Sequence, residues 1–380
     1  MPPQQTSPLP KPADNIGNSL KCEGCGALLQ FAPGTRSLQC SYCGQSNAIA
    51  TTDEANNIAP IDYDNFIANI DETRATDNIK VVDCRNCGSQ TVLNASVTSD
   101  SCPFCTSPLV LNQQAGNNYL PPHYVLPFEV TQKQGIEYFQ QWLKGLWFAP
   151  NDLARKVGGT RSILQGVYLP HWAYDANTVT DYTGERGDYY YTTETYTETV
   201  DGKTQTRTRQ VRHTRWSYTS GTVHCRFRDV LVSASKSLPE KTMNQLTPWK
   251  LEMLAKFDER YLSGFRSETY QLPPQDGLEK AKDIMGRDID TAIREDIGGD
   301  EQRVDNTATN YRNKGIKYLM LPVWVSAYNY GSKVYQFTVN ASTGEVIGQR
   351  PYSVIKIVLT VLIGLMLIAA AVFFFMQQKN

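Results

Sequence analysis

The chain lacks the motifs that announce the common catalytic chemistries. It has no GxxxxGK[ST] phosphate loop, and Gly158-Gly159-Thr160 reads as a turn. It has no HExxH and no GxSxG, which excludes zincin and nucleophile-elbow arrangements. Its four histidines, His123, His171, His213 and His224, share no ligand spacing, and its carboxylates form no recognisable acid–base pair. Charge excess is missing too: 37 Lys+Arg stand against 38 Asp+Glu, a formal net charge of −1. The bulk attraction that drives non-specific nucleic-acid binding is therefore absent. Residues 1–19 are rich in Pro, Gln and Asn without an apolar run, so they read as a disordered leader rather than a signal peptide.

What the chain does have is patterned cysteine. Eight of its nine cysteines fall into two identical frames, Cys22-x2-Cys25-x14-Cys40-x2-Cys43 and Cys84-x2-Cys87-x14-Cys102-x2-Cys105. Each cysteine of the second frame follows its counterpart by 62 positions. Two CxxC turns joined by a short hairpin deliver four thiolates to a tetrahedral Zn²⁺. Glycine follows the second cysteine in three of the four turns, CEGCG, CSYCG and CRNCG, where the chain must turn sharply under the sulfur. We expect two four-cysteine zinc ribbons, at 20–49 and 81–111, each holding one structural Zn²⁺. Four thiolates leave no open position for water, so neither ion is expected to be catalytic. Iron–sulfur and redox-dithiol uses are the competing readings. Alternation of ligand pairs between two metals is disfavoured by the separation of the frames. Local charge does not mark either ribbon as a phosphate-binding surface: residues 21–50 carry a net of +1 and residues 81–112 a net of −1. Phe31, Tyr42 and Phe104 have the chemistry to stack on bases, but are expected in the ribbon cores. Cys225 alternates with Val223 and Phe227 and is expected as a buried thiol.

The second strong signal is apolar. Ile357 to Met376 runs without a charge, long enough at about 1.5 Å per residue to cross about 30 Å of hydrocarbon. Residues 353–376 are expected to form a single transmembrane helix, followed by a short tail at 377–380. Arg350 and Lys356 before the run, and reduced thiols for metal, place the bulk of the chain on the cytoplasmic side.

Between these ends, residues 50–80 read as a linker. Within it Asp62 caps a short helix through Ile70 with Phe66, Ile67 and Ile70 on one face. Residues 112–118 form a second linker, and residues 119–352 an α+β domain, with a seam near Leu238 as the two-domain alternative. Thr131 and Gln134 form a capping box ahead of Ile136, Phe139, Trp142, Leu143, Leu146 and Trp147 at helical spacing. A shorter helix follows Asn151, and further helices are expected at Pro248–Tyr261 and Gln275–Asp296. The latter carries Leu278, Ala281, Ile284, Met285, Ile289, Ala292 and Ile293 on its stripe. Strands are expected from Ile163 to Leu231 and from Ile316 to Ile347, with turns at Gly331-Ser332 and Thr343-Gly344. Trp172, Trp216, Trp249 and Trp324 read as core or interface aromatics.

Within the first strand region, Asp201-Gly202 marks a two-residue hairpin between two polar strands covering 188–218. Closure there sets Glu194 opposite Arg209, Asp188 opposite Arg215 and Tyr196 opposite Arg207. The segment RTRQVRHTR, alone a nucleic-acid arm, becomes an internally neutralised ribbon. Neither face is apolar, so the arm is expected to project. An interaction arm, an inert insertion and a nucleic-acid arm all remain open readings of it.

CEGCGALLQFAPGTRSLQCSYCG resembles the start of a bacterial family of membrane-anchored zinc-ribbon proteins. The resemblance continues through LPF (Leu126 to Phe128), LPHWAYDA (Leu169 to Ala176), the Tyr–Thr hairpin, Leu321 to Val346 and the final apolar helix. Members are labelled TFIIB-type zinc ribbon proteins or primosomal/replication-helicase-like, although no motor motif is present here. The eight cysteines match the family's metal positions, and the resemblance supplies no catalytic residue. It implies a role beside phage-shock-type or SPFH membrane scaffold proteins. The expectation is a non-enzymatic adaptor or scaffold that recruits protein partners to the cytoplasmic face of the membrane. The alternative is a membrane-tethered nucleic-acid-binding protein linked to replication or transcription, and a third class is a membrane-bound enzyme with an unrecognised site.

Overall fold

A computed structural model describes residues 21–49, 58–70, 80–84, 89–93, 99–102, 104, 108–110, 120–158, 164–200, 203–331 and 333–377. The leader, most of the two linkers, Cys87, Cys105, the Asp201-Gly202 turn, Ser332 and residues 378–380 lie outside them. In chain order the strands are β1 (Leu29–Phe31), β2 (Ser37–Cys40), β3 (Ser46–Ala48), β4 (Ile61–Asp62), β5 (Lys80–Asp83), β6 (Gln90–Leu93), β7 (Ser99–Ser101), β8 (Pro108–Val110) and β9 (Tyr124–Val125). They continue as β10 (Gln165–Val200), β11 (Lys203–Ser233), β12 (Ala255–Lys256), β13 (Arg266–Glu268), β14 (Glu301–Tyr330), β15 (Lys333–Asn340) and β16 (Val346–Gly348). The α-helices are α1 (Tyr63–Ala68), α2 (Gln132–Lys144), α3 (Leu153–Gly158), α4 (Glu240–Gln245), α5 (Pro274–Ile297) and α6 (Val354–Gln377).

The spine is β10, a 36-residue strand. It pairs antiparallel with β11 along one edge, from His171↔Ser233 to Val200↔Lys203, and with β14 along the other, from Gln165↔Val325 to Gly187↔Glu301. Side chains alternate between sheet faces, and here both faces are covered. Tyr168, Trp172, Tyr174, Tyr318, Met320 and Trp324 join one apolar core, whereas Val167, Leu169, Ala173, Leu319, Leu321 and Val323 join another. Strand β13 lies parallel to β10 and pairs with β6, so the β5–β6 pair extends the central sheet.

Helix α5 lies over the first face. Leu278, Ala281, Met285, Ile289 and Ile293 are buried, while Ile284, placed on that stripe by spacing alone, is exposed. Three β10 aromatics anchor the segment: Trp172 Nε1 donates to Leu272 O (2.8 Å), Tyr174 OH to Pro274 O (2.6 Å) and Tyr182 OH to Asp296 Oδ2 (2.5 Å). At α2 the expected capping box is present, with Gln134 N donating to Thr131 Oγ1 and Thr131 N to Gln134 Oε1. Asp62 likewise caps α1, accepting from Asn65 N at 2.9 Å.

The polar arm has the expected register, including Glu194↔Arg209, Asp188↔Arg215 and Tyr196↔Arg207. Beyond the Gly187↔Glu301 pair, β10 and β11 continue as a two-stranded projection. Its charges pair along diagonals as well as across. Arg209 meets Glu194 (3.0 Å) and Arg207 meets Glu198 (3.2 Å), while Asp188 is taken by Arg186 (3.0 Å). Arg215 then lies over the Tyr190 ring, and Arg209 rather than Arg207 lies over Tyr196.

Other sequence expectations need correction. Residues 248–261 form no α-helix: two 3-10 turns, Leu251–Met253 and Glu259–Leu262, flank β12. The sheet wins there, because Ala255 pairs with Val125 and Phe257 N donates to His123 O. Strand β14 begins at Glu301, not Ile316; its first half is polar, and none of residues 301–314 is buried. Cys225 is half-buried rather than buried, and α4 was not anticipated.

Two buried polar clusters sit against this sheet. Lys317, 3% exposed, meets Asp229 at 2.5 Å and Asp175 at 3.6 Å. This level also holds the register shifts of β10 against both neighbours and the two non-glycine residues with positive φ, Asp229 and Asn313. Lys317 is the buried member and both carboxylates are partly exposed, so it is loss of both that would leave a buried ammonium uncompensated. Glu268 is 1% exposed and accepts from Ser235 Oγ (2.6 Å) and Ser237 Oγ.

Burial pushes the Glu268 carboxyl up from 4.5 to about 7, against those two serine hydrogen bonds. The folded chain therefore keeps a proton that the unfolded chain releases, so stability from this group is full below pH 4.5 and is lost as the pH rises to about 7. A shift of this size corresponds to about 3 kcal/mol. His123 and His171, each pushed down to about 4 by burial, work in the opposite direction and cost stability as the pH falls below 6.5. In chemical unfolding, Glu268→Gln is expected to shrink the loss of stability between pH 5 and 8 relative to wild type. Parallel profiles would contradict the assignment.

Gly184 marks a close approach at a register shift between β10 and β14. A Cβ there would collide with the carbonyl oxygen of Arg303, a backbone atom that cannot turn aside. Gly184→Ala is expected to destabilise the chain by about 1–3 kcal/mol in thermal or chemical unfolding.

Candidate metal centre

Two tight turns build the first cysteine site. In one, Cys22 N donates to Ala27 O (2.8 Å) and Gly26 N to Cys22 O (2.8 Å); in the other, Cys40 N donates to Gln45 O and Gly44 N to Cys40 O, both at 2.9 Å. Gly26 and Gly44 occupy the left-handed region, with φ of 73° and 76°, where a Cβ costs about 1–2 kcal/mol. The turns are brought together by the β1–β2–β3 sheet, in which Leu29 pairs with Cys40.

The result is a cage. The Sγ atoms of Cys22, Cys25, Cys40 and Cys43 all lie within 4.8 Å of one another, with Cys22–Cys43 and Cys25–Cys40 each at 3.5 Å. A tetrahedral Zn²⁺ with bonds of about 2.3 Å requires sulfur–sulfur edges of about 3.8 Å, so this donor set fits the ion. The backbone N–H groups of Cys43 and Tyr42 pull the Cys40 thiol down to about 6. The Ala27 N–H favours the Cys25 thiolate too, but Cys40 and partial desolvation push that thiol up to about 12. Crowded thiols oppose one another's ionisation, and a divalent cation relieves that opposition. Four sulfur donors would complete the ion's coordination, so the cage suits a structural ion with no place for a metal-bound water. Gln45, which the sequence did not single out, sets its Oε1 3.8 Å from Cys22 Sγ.

The cage is part of the protein body. Cys22, Cys40, Leu29, Phe31 and Leu38 belong to the same buried core as Phe128, Tyr168 and Trp172. Phe31 packs on Tyr261 with ring centroids 5.3 Å apart, Phe31 N donates to Ser263 O (3.0 Å), and Ser263 Oγ donates to Leu29 O (2.6 Å). Cys25 and Cys43 face outward, as do Leu28 (68% exposed) and Tyr42 (83% exposed). Phe31 and Phe104 are buried as expected; Tyr42, expected in the ribbon core, is not.

The described part of the second frame repeats the first. Cys84 N donates to Ser89 O (2.8 Å), the counterpart of the Cys22–Ala27 bond. Asp83↔Gln90 matches Lys21↔Leu28, and Ser99↔Val110, Asp100↔Leu109 and Ser101↔Pro108 match Ser37↔Ala48, Leu38↔Asn47 and Gln39↔Ser46. Cys84 and Cys102 are buried with Phe104 in the second core, so the two frames pack with opposite faces of the sheet. Ser89 Oγ lies 3.2 Å from Cys102 Sγ, and Gln336 Nε2 donates to Phe104 O at 2.7 Å. With Cys87 and Cys105 outside the described residues, the cage of Cys22, Cys25, Cys40 and Cys43 is the one such sulfur cluster among the described residues.

The four histidines are dispersed. His123 Nδ1 accepts from Tyr318 N (3.0 Å), His171 Nδ1 lies 3.1 Å from Leu169 O, His213 Nε2 lies 2.8 Å from Thr192 Oγ1, and His224 is exposed.

The chain is 27% identical over 350 residues to the uncharacterized protein YdjG of Bacillus subtilis (strain 168), covering 88% of this chain and 90% of that one. No protein-family model matches the chain, and no solved structure matches it.

Cys25 and Cys43 provide a clean test because both are exposed and contribute little to the core. Cys25→Ser or Cys43→Ser is expected to abolish metal binding at this cage and to lower the unfolding midpoint. Elemental analysis by mass spectrometry, paired with thermal unfolding, checks this. Unchanged metal content in both variants would contradict a four-sulfur site.

Proposed function

We propose that the chain is a non-enzymatic, membrane-anchored adaptor in which two structural Zn²⁺ ions stiffen paired zinc ribbons that present a protein-binding surface at the cytoplasmic face of a membrane. One observation carries this reading: a cage with sulfur on all four corners packs into the same core as the central sheet, and an uncovered, apolar 24-residue helix, α6, follows that sheet's last strand. A filled tetrahedron does no Lewis-acid chemistry on a substrate, but it fixes the surface around it. Anchoring confines that surface to two dimensions and raises its effective concentration toward any membrane-associated partner. The matching hydrogen bonds and strand registers of the second frame support a second ion on Cys84, Cys87, Cys102 and Cys105.

Protein is the favoured partner class because the arm has little positive charge to spare. Arg207 and Arg209 are paired with carboxylates, and Lys203, Arg207, Arg209, Arg212 and Arg215 together are nearly balanced by Asp188, Glu194, Glu198 and Asp201. By the family resemblance, membrane scaffold proteins of the phage-shock or SPFH kind are the first candidates.

Affinity capture of the intact chain from solubilised membranes, wild type against a Leu28→Ser, Tyr42→Ala double variant, tests the proposal. The expected outcome is a defined set of protein partners that is depleted in the variant at unchanged metal content. An identical partner set in both would contradict the assigned surface. Recovery of nucleic acid whose affinity falls steeply with salt would favour the tethering alternative.

A further inference from the structure

Trp147 stands apart from the other tryptophans. It is 75% exposed, whereas Trp142, Trp172, Trp216, Trp249 and Trp324 are buried or half-buried. It sits in the loop between α2 and α3, flanked by Leu146 and Ala149, which are buried and hold the loop to the body. An exposed indole on a well-packed loop has no role in the core.

The loop is also fastened to the first turn of α6. Lys356 Nζ donates to Trp147 O (2.9 Å) and to Ala149 O (2.8 Å), and Ser353 N donates to Phe148 O (2.8 Å). Three consecutive loop carbonyls are thus tied to the residues that open the apolar helix. Such bonds grow stronger where water is scarce, because a lysine ammonium left without partners at a lipid boundary is costly. Wherever α6 enters a bilayer, the 145–150 loop arrives at the same depth. Tyr352, 58% exposed and covered on one side by Arg350 at 5.3 Å, lies one residue before Ser353.

The local chemistry suits a lipid boundary. Residues 145–151 carry no charge, and between Val346 and Met376 the only charges are Arg350 and Lys356, both basic. Tryptophan and tyrosine collect at membrane interfaces, where an amphipathic ring meets both headgroup and hydrocarbon, and basic residues favour the anionic leaflet.

We propose that the Gly145–Pro150 loop is a bilayer-contact surface, with Trp147 seated at the headgroup–acyl boundary of the membrane that α6 spans. This inference rests on the membrane-anchor reading of α6. Its consequence is orientational: the anchor is no free tether, since the loop fixes which end of the sheet faces the lipid.

The test uses the full chain reconstituted in phosphatidylcholine–phosphatidylglycerol vesicles carrying lipids brominated either near the headgroup end or near the methyl end of the acyl chain. Tryptophan fluorescence of wild type and Trp147→Ala is compared, with carbonate extraction reporting helix insertion independently. We expect wild type to be quenched more by the shallow label than by the deep one, and Trp147→Ala to lose that quenching. Equal quenching in both proteins, with the chain still resistant to extraction, would overturn the loop contact and leave the anchor standing. A chain released by carbonate would overturn both.

Discussion

The hydrogen-bonded ladder between β10 and β14 is the constraint on which the other parts of the molecule depend. It runs from Gln165↔Val325 to Gly187↔Glu301, and both faces of its inner half are buried. A strand buried on both faces cannot slip by one residue without exchanging its two cores, so the register is fixed by side-chain burial as much as by the backbone bonds. The cysteine frames contribute to those two cores, one on each face, and the chain leaves β14 through β15 and β16 to reach the apolar helix. A force applied at one of these parts is therefore felt by the others through packed structure.

That arrangement separates two roles that cysteine can take. Cys22 and Cys40 are buried members of a packed core, while Cys25 and Cys43 are exposed and meet neighbouring sulfur and the backbone N–H groups of Ala27 and Gln45. A site with half its ligands in the core can be stiffened by an ion without the ion being reached by a substrate. The polar arm has a parallel logic. Two of its arginines pair with carboxylates on their own hairpin and its formal charges nearly balance, so the arm carries little net positive charge.

Much of this was legible in the residues because local physics dictated it. Cysteine spacing placed four sulfurs together, Thr131 and Gln134 capped α2, and a hairpin read to close at 201–202 has the register found from Val200↔Lys203 to Ala176↔Phe227. The misreadings share a different cause. Residues 248–261 have helical composition, yet pairing with β9 pulls Ala255 and Lys256 into the sheet. Glu301–Lys314 has no apolar alternation because none of its side chains is buried, and pairing with β10 alone holds it in the sheet. Tyr42 has the composition of a core residue, but of the two aromatics in the first frame only Phe31 turns inward, to meet Tyr261. The bonds between Lys356 and the 145–150 loop link positions more than two hundred residues apart, and no local pattern announces them.

A sulfur cage able to close around a metal ion is built into a body that also carries an apolar helix long enough to cross a membrane. X-ray absorption at the zinc edge, recorded on the full chain purified from solubilised membranes, tests it most directly. The account predicts stoichiometric zinc with a single shell of four sulfurs at about 2.3 Å and no nitrogen or oxygen ligand. A shell containing light-atom donors, or a chain purified without bound metal, would contradict it.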